Sequence, residues 1–152
     1  MTSRIAFFSA AAVMALVLGG CAAVDVEPTA TPTPTETAVA GPPPVYSPDG
    51  DAQDNKAFFD WVLLPVATGN HPNPSRALVN ALVKAGFPKK KMQVTPHLTR
   101  TQLPADSVIV SVQINRSCLI GQRSVDGEYF STIETALKTG GCLIGSTLEI
   151  DW

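Results

Sequence analysis

The stretch SVIVSVQIN, residues 107–115, carries the clearest strand pattern in the chain. Its β-branched apolar residues recur at every second position: Val108, Val110, Val112 and Ile114. Successive side chains of a strand point to opposite faces, so this alternation predicts one apolar face and one polar face, with Ile109 as the single exception. We expect the apolar face to meet helices and the polar face to meet water.

Shorter strand patterns lie on both sides of this stretch. Residues 92–95 alternate apolar and polar positions until Pro96, which cannot donate to a ladder, ends them. Residues 115–117 form a turn signal that leads into a third strand over 118–122, and such a short connection makes the pair antiparallel.

A short internal echo suggests one more strand. Cys-Leu-Ile-Gly occurs at residues 118–121 and again at 142–145. We expect the second copy to begin a last strand over 142–150, beside the first. Glycine at the fourth position leaves room for another backbone or for an aromatic ring, and Trp152 is a candidate for that ring.

A first helix is predicted to begin at Asp51. Asp54 follows three residues later and resembles a capping box, and Pro65 should end or bend the helix. Apolar residues recur along one face, and Trp61 and Leu64 widen that face. We therefore expect most of this helix to be enclosed.

A second helix is predicted to begin after Asn73, with Pro74 at its first position and Gly86 just past its end. Residues 129–137 carry mixed signals, and apolar residues at helical spacing favour a short helix there. The chain is therefore predicted to have an α+β fold, with two N-terminal helices on one face of an antiparallel sheet of three to four strands.

The N-terminal residues 1–20 resemble a bacterial lipoprotein signal peptide that ends before Cys21. One charge, Arg4, precedes an apolar run of 14 residues over 5–18. A helix that spans a bilayer needs about 20 residues, so a transmembrane anchor is the weaker alternative. Cleavage at the small residues of 9–12, as in an ordinary secretory peptide, would leave apolar residues exposed. We expect Cys21 to carry lipid, which places the protein on the extracytoplasmic face of the cell membrane.

Residues 21–48 form a tether in this interpretation. The stretch 22–48 holds seven prolines and five threonines without any Lys or Arg, a composition typical of a disordered, partly polyproline spacer. Extended, it would reach about 80 Å. Residues 49–152 then form one domain, which is long enough for a single hydrophobic core.

The three cysteines are an odd number for an exported protein. If Cys21 carries lipid, Cys118 and Cys142 remain, and an oxidising compartment favours a disulfide between them over two separate buried thiols.

Charge argues against a nucleic-acid partner. From residue 56 onward there are ten basic and seven acidic residues, an excess too small for phosphate-backbone binding. The run Lys89–Lys91 is typical of a solvated turn, and contact with anionic head groups or wall polymers is its functional alternative.

No catalytic motif is evident. The two histidines, His71 and His97, lie in proline-bounded loops, and a zinc site would require them to converge with a carboxylate such as Asp106. Asp126 and Glu128 flank a turn, where carboxylates are common surface residues. We therefore predict no metal, no cofactor and no catalytic residues.

Aromatic and arginine side chains are the better candidates for binding, since Tyr, Trp and Arg dominate hot spots. The candidate binding surface comprises Arg116, Arg123, Tyr129 and Trp152. Alternatively, Tyr129 and Trp152 cap the core.

Over about residues 51–152 the chain resembles a domain of unknown function found in lipoproteins of high-GC Gram-positive bacteria, an actinobacterial family. The resemblance is carried by residues 85–87, 92–96, 118–122, 141–145 and 150–152. It implies surface localisation and a paired Cys118 and Cys142, and it supplies no activity.

These features together predict a lipid-anchored, non-enzymatic surface module. It would be held to the membrane through Cys21 and would bind a protein or a cell-wall component. The alternative is a small hydrolase that acts on the cell wall with carboxylates.

Overall fold

The computed structural model describes residues 42–152. Two helices, α1 and α2, precede a short 3-10 turn and four strands, β1 to β4. Their bounds are Ala52–Ala67 for α1, Pro74–Lys84 for α2, Lys89–Lys91 for the turn, Met92–Val94 for β1, Ser107–Ile114 for β2, Ser117–Ser124 for β3 and Tyr129–Thr135 for β4. Within this part of the chain no helix is both long and apolar enough to cross a membrane.

The four strands form one antiparallel sheet in the order β1-β2-β3-β4. Strand β2, which contains the alternating stretch, pairs with both β1 and β3. The predicted α+β fold with two helices on one face of the sheet is therefore confirmed, and the sheet has four strands.

The core lies between the sheet and the two helices. The alternating valines of β2 are buried there, and the same face of β3 contributes Leu119 and Gly121. A Cβ atom at Gly121 would lie only 2.8 Å from the side chain of Leu63 and 3.1 Å from the ring of Phe59. The predicted close approach at this glycine is confirmed, and the ring belongs to Phe59 rather than to Trp152.

The helix ends follow the sequence signals. Asp51 caps α1, and its side chain and that of Asp54 form a reciprocal capping box. Pro65 lies inside the last turn, and the helix ends two residues later. Asn73 caps α2, and Gly86 follows its C-cap with a φ of 103°, in the left-handed region that glycine tolerates.

The prediction of a short helix over residues 129–137 is wrong. Residues 129–135 are strand β4, which pairs with β3 from Tyr129–Arg123 to Thr135–Ser117. The apolar residues at helical spacing do not form one buried face, because Phe130 is 67% exposed and Ile133 points to the helices. Instead, residues 129–135 pair continuously with β3, and this pairing makes the segment a strand.

The prediction of a last strand over residues 142–150 is also wrong, since this segment has no regular secondary structure. Only one backbone hydrogen bond joins it to the sheet, from Leu148 N to Val94 O at 2.8 Å. The predicted disulfide between Cys118 and Cys142 is present, with a Cα–Cα distance of 5.7 Å. It links β3 to an irregular segment rather than to a neighbouring strand.

The outer face of the sheet, opposite the helices, is only partly open to water. Cys118 lies on this face, so the disulfide holds the C-terminal segment against it. Gln93 Oε1 accepts hydrogen bonds from Cys142 N at 2.6 Å and Leu143 N at 3.1 Å. Ser111, the register partner of Gln93, is fully buried. The expected polar, water-facing side is therefore covered where the C-terminal segment crosses it.

Candidate binding surface

An open apolar groove runs between helices α1 and α2. It has a volume of about 580 Å³, and the residues lining it are almost all apolar: Phe58, Trp61, Val62, Leu64, Pro65, Ala81, Lys84 and Ala85. Trp61 is 56% exposed and Leu64 is 50% exposed. The expectation that both residues are enclosed is therefore wrong. Helix α2 packs against α1 but leaves these two side chains open to solvent.

A row of aromatic rings supports one wall of the groove. Phe58 stacks on Trp61 with ring centroids 6.0 Å apart, and it lies 5.8 Å from Phe87. Tyr46 packs against Phe87 at 4.7 Å. The chain before α1 is held in place by Asn55, whose side chain bonds both the N–H and the carbonyl of Ser47. These contacts hold Trp61 on a rigid base.

A second cavity, of about 450 Å³, lies at the start of β4. Leu64 of α1 and Thr68, the C-cap of that helix, line one side, and Tyr129 and Phe130 of β4 line another. Leu64 borders both cavities, so the exposed face of α1 separates them.

A polar cluster joins α1 to β4 beneath this face. Asp60 accepts hydrogen bonds from Tyr129 Oη at 2.9 Å and from Ser131 Oγ at 2.5 Å. Lys56 Nζ lies 2.5 Å from the Asp60 carboxylate and donates to Ser131 Oγ at 2.6 Å. Burial, and then the negative charge of Asp60, raise the pKa of Tyr129. Each member has its partners within the cluster, and Tyr129 stays a neutral hydrogen-bond donor.

Two of the sequence-predicted binding residues are register partners, Arg123 and Tyr129. Arg123 Nε donates to the carbonyl of Ala67 at 2.7 Å, where a cation also suits the negative end of the α1 dipole. Both side chains bond to α1, which agrees with the alternative that Tyr129 caps the core.

The other two predicted residues lie elsewhere. Arg116 is exposed in the turn between β2 and β3, at the opposite end of β3 from Arg123. Trp152 lies against α2, where its ring sits 4.7 Å from the guanidinium of Arg76 and its Nε1 donates to Asn80 at 3.2 Å. The structure therefore divides the four residues among three places.

The carboxylates and histidines do not form a common site. The hydroxyl of Ser124 lowers the pKa of Asp126, which keeps this exposed carboxyl ionised. Within residues 42–152 no group of three or more His, Cys, Asp or Glu side chains could hold a metal ion. The proposed lipidation site, Cys21, lies outside the described residues.

Sequence reasoning missed Trp61 and Leu64 as surface residues. Five of the eight groove-lining residues lie in one stretch, 58–65, because α1 is apolar on more than one side. A helix that is apolar over more than one face is a signal either of burial or of an interaction surface. The packing of α2, which leaves Trp61 and Leu64 exposed, decides between them.

The comparisons with known proteins identify a family. Residues 63–146, more than half of the chain, match the family described as Domain of unknown function (DUF6993). No curated protein and no solved structure matches the chain. The matched region starts within α1 and extends past the second cysteine of the disulfide. The chain belongs to the DUF6993 family.

Proposed function

We propose that this protein is a lipid-anchored, extracytoplasmic surface module that binds a partner protein through the groove between α1 and α2. The observation that carries the proposal is the exposure of Trp61 and Leu64 on a rigid aromatic base. Large exposed apolar residues beside a groove mark interaction sites, and tryptophan is among the residues that dominate binding energy.

The lining of the groove favours a protein partner over a wall polymer. Lys84 is its only charged residue, and every other lining residue is apolar. Such a surface gains most from apolar side chains and offers few hydrogen bonds to a polar polymer. The groove therefore fits an apolar segment of a protein, with Lys84 at its rim.

The arrangement of the carboxylates favours a binding protein over a hydrolase that acts on the cell wall. Neither large cavity of the described region is lined by a pair of acids: Glu128 borders the second cavity and no acid borders the first. Hydrolysis of a glycosidic bond ordinarily uses two carboxyl groups, one of them with a raised pKa. Asp126 has a lowered pKa instead, and Asp60 is engaged with Lys56, Tyr129 and Ser131.

Photo-crosslinking tests the groove directly. A photoreactive phenylalanine analogue is placed at Ala81, on the α2 wall, in cells that produce the full chain. The matched control carries the same analogue at Thr101, an exposed position in the loop between β1 and β2 that does not line the groove. We expect an adduct of one defined mass from position 81 and none from position 101.

The adduct must also depend on Trp61. Adding Trp61→Ala should abolish it while the thermal unfolding of the protein changes little, because half of this side chain is already exposed. Equal adducts at both positions, or an adduct that survives Trp61→Ala, would contradict the groove as the binding site. A carbohydrate adduct would contradict the protein partner.

The anchor has a separate test. Cys21→Ala should leave unprocessed precursor and abolish acylation, because the thiol is the atom that carries the lipid. Mass spectrometry of the membrane fraction shows the result. A mature N-terminus at any residue other than Cys21 would overturn the anchoring proposal and leave the groove untouched.

A further inference from the structure

The two edges of the sheet differ in how they are covered. At the β1 edge, the carbonyl of Val94 accepts a hydrogen bond from Leu148 N, so the C-terminal segment closes this edge. The β4 edge has no such cover in the part of the chain that the structure describes. Uncovered edges are templates for pairing with another strand.

The hydrogen bonds that flank β4 show which of its groups face outward. Ser124 N donates to Glu128 O, and Ala136 N donates to Arg116 O, so the even-numbered residues from 128 to 136 bond to β3. Antiparallel ladders alternate, so the odd-numbered residues of β4 point their N–H and C=O groups away from the sheet. These outward residues are Tyr129, Ser131, Ile133 and Thr135.

Within residues 42–152, these outward backbone groups make a single hydrogen bond. The hydroxyl of Thr132 approaches the carbonyl of Ile133 at 3.5 Å, which is the limit of a weak bond. The edge also lacks the usual protection, since β4 contains no proline and no lysine, and Glu134 is its only charged residue. Phe130 is 67% exposed beside it.

We propose that β4 pairs with β4 of a second copy of this chain, antiparallel and across a two-fold axis at Thr132. The outward residues are symmetric about this position. Ser131 of one copy would pair with Ile133 of the other, and Tyr129 with Thr135, so every outward group meets an outward group.

In this register the side chains of Phe130 and Glu134 would be compatible across the interface between the two copies. Phe130 of one copy would lie opposite Glu134 of the other, and its exposed ring would be covered. The two Glu134 carboxylates would lie about 13 Å apart along the strands, so no like charges would meet. A second copy is thereby favoured over an arbitrary extended peptide, whose side chains need not satisfy both conditions.

The helices also fit a second copy. Helix α1 lies over β3 and β4, because Phe59 and Leu63 contact Gly121 while Asp60 bonds Tyr129 and Ser131. It is therefore about one strand spacing from the proposed axis, and two copies of α1 would lie about 10 Å apart, a normal distance for packed helices. Ala57 and Leu64, both exposed on α1, would lie near this helix pair.

Cysteine crosslinking tests both the pairing and its register in membranes from cells that produce the full chain. Thr132→Cys would face its own copy across the axis, at a non-hydrogen-bonded pair with a Cα–Cα distance of about 4.5 Å, within disulfide reach. Mild oxidation should then give a covalent dimer on a non-reducing gel. The unsubstituted chain is the control for its own cysteines.

Matched variants fix the register. Phe130→Cys alone and Glu134→Cys alone should stay monomeric, because equivalent residues would be about 13 Å apart. Co-production of the two variants should give a dimer, since residue 130 of one copy faces residue 134 of the other. All three substitutions lie on the outer face, away from the helices. Because Glu134 is the register partner of Cys118, peptide mapping must show that the Cys118–Cys142 disulfide is intact in Glu134→Cys.

Three results would overturn the proposal. Thr132→Cys that remains monomeric after oxidation would exclude the pairing, as would a dimer of Phe130→Cys alone that forms as readily. Crosslinking of Thr132→Cys to a different protein would show that the edge takes another occupant. Leu64 borders both surfaces, but each of these results leaves the groove test unaffected, because its crosslinking position, Ala81, lies on α2.

Discussion

The two Cys-Leu-Ile-Gly segments have the same sequence and different structures. In the first, 118–121, Cys118 and Leu119 are fully buried in the inner strand β3, which, like β2, pairs on both sides. In the second, 142–145, no residue belongs to a strand, and Ile144 is 86% exposed. Gly121 contacts core side chains, whereas Gly145 has a φ of 99° and open space around it.

The difference teaches that neighbouring strands, rather than local propensity, decide which segment joins the sheet. The first copy follows directly after β2 by a tight turn, and its register is fixed by the alternating valines. The second copy is held by its disulfide to Cys118 and by Gln93, which bonds two of its N–H groups. The first copy of the motif is therefore part of the packed sheet, whereas the second copy attaches the C-terminal segment to that sheet.

The largest effect is expected from removing the link between the two segments. The disulfide joins residues 24 positions apart, and in the chain-entropy model closing a loop of this length stabilises the fold by about 3.5 kcal/mol. Chemical denaturation should show that loss for Cys118→Ala/Cys142→Ala without reductant. The difference from wild type should nearly vanish once both proteins are reduced, and equal midpoints in oxidising buffer would contradict the link.

Truncating the leucine of each segment sharpens the comparison. Leu119→Ala removes a fully buried side chain and should lower the free energy of unfolding by about 3 kcal/mol. Leu143→Ala, at a half-buried position, should cost about 1 kcal/mol or less. Urea unfolding of the pair measures both, and similar losses would show that the second segment packs as the first does.

Substituting the glycine of each segment should lower the stability less than substituting Leu119, and the two losses should have different physical causes. Gly121→Ala places a methyl group against Leu63 and Phe59, and such overpacking costs about 1–3 kcal/mol. Gly145→Ala meets no neighbour, and only its positive φ opposes the substitution, at about 1 kcal/mol. Thermal unfolding of both variants checks the order, and a larger loss at Gly145 would reverse the account.

Local signals predicted the helices and the first three strands well. Caps at Asp51 and Asn73 are short-range hydrogen-bond patterns, and the alternation in β2 is a direct record of its buried face. Strand β4 was missed because its residues are held by pairing with β3, which no local spacing reports. The final segment was misassigned because its resemblance to β3 is local while its position is set by a distant disulfide.

The candidate binding surface was harder to predict than the fold. Arg123 and Tyr129 have the residue types of a hot spot, yet α1 supplies their hydrogen-bond partners. Trp61 and Leu64 continue an apolar pattern that ordinarily means burial, and only the packing of α2 leaves them exposed. Whether an apolar side chain is exposed depends on how distant elements pack, and the local sequence pattern does not report this packing.

Native-state hydrogen exchange tests the contrast between the two segments most directly. The amides of Leu119, Ile120 and Gly121 lie in a strand paired on both sides and should exchange only by global unfolding. The amides of Ile144 and Gly145, for which the structure records no hydrogen bond, should exchange orders of magnitude faster by local opening. Equal protection of the two segments would contradict the account, because it would require the second Cys-Leu-Ile-Gly to be part of the sheet.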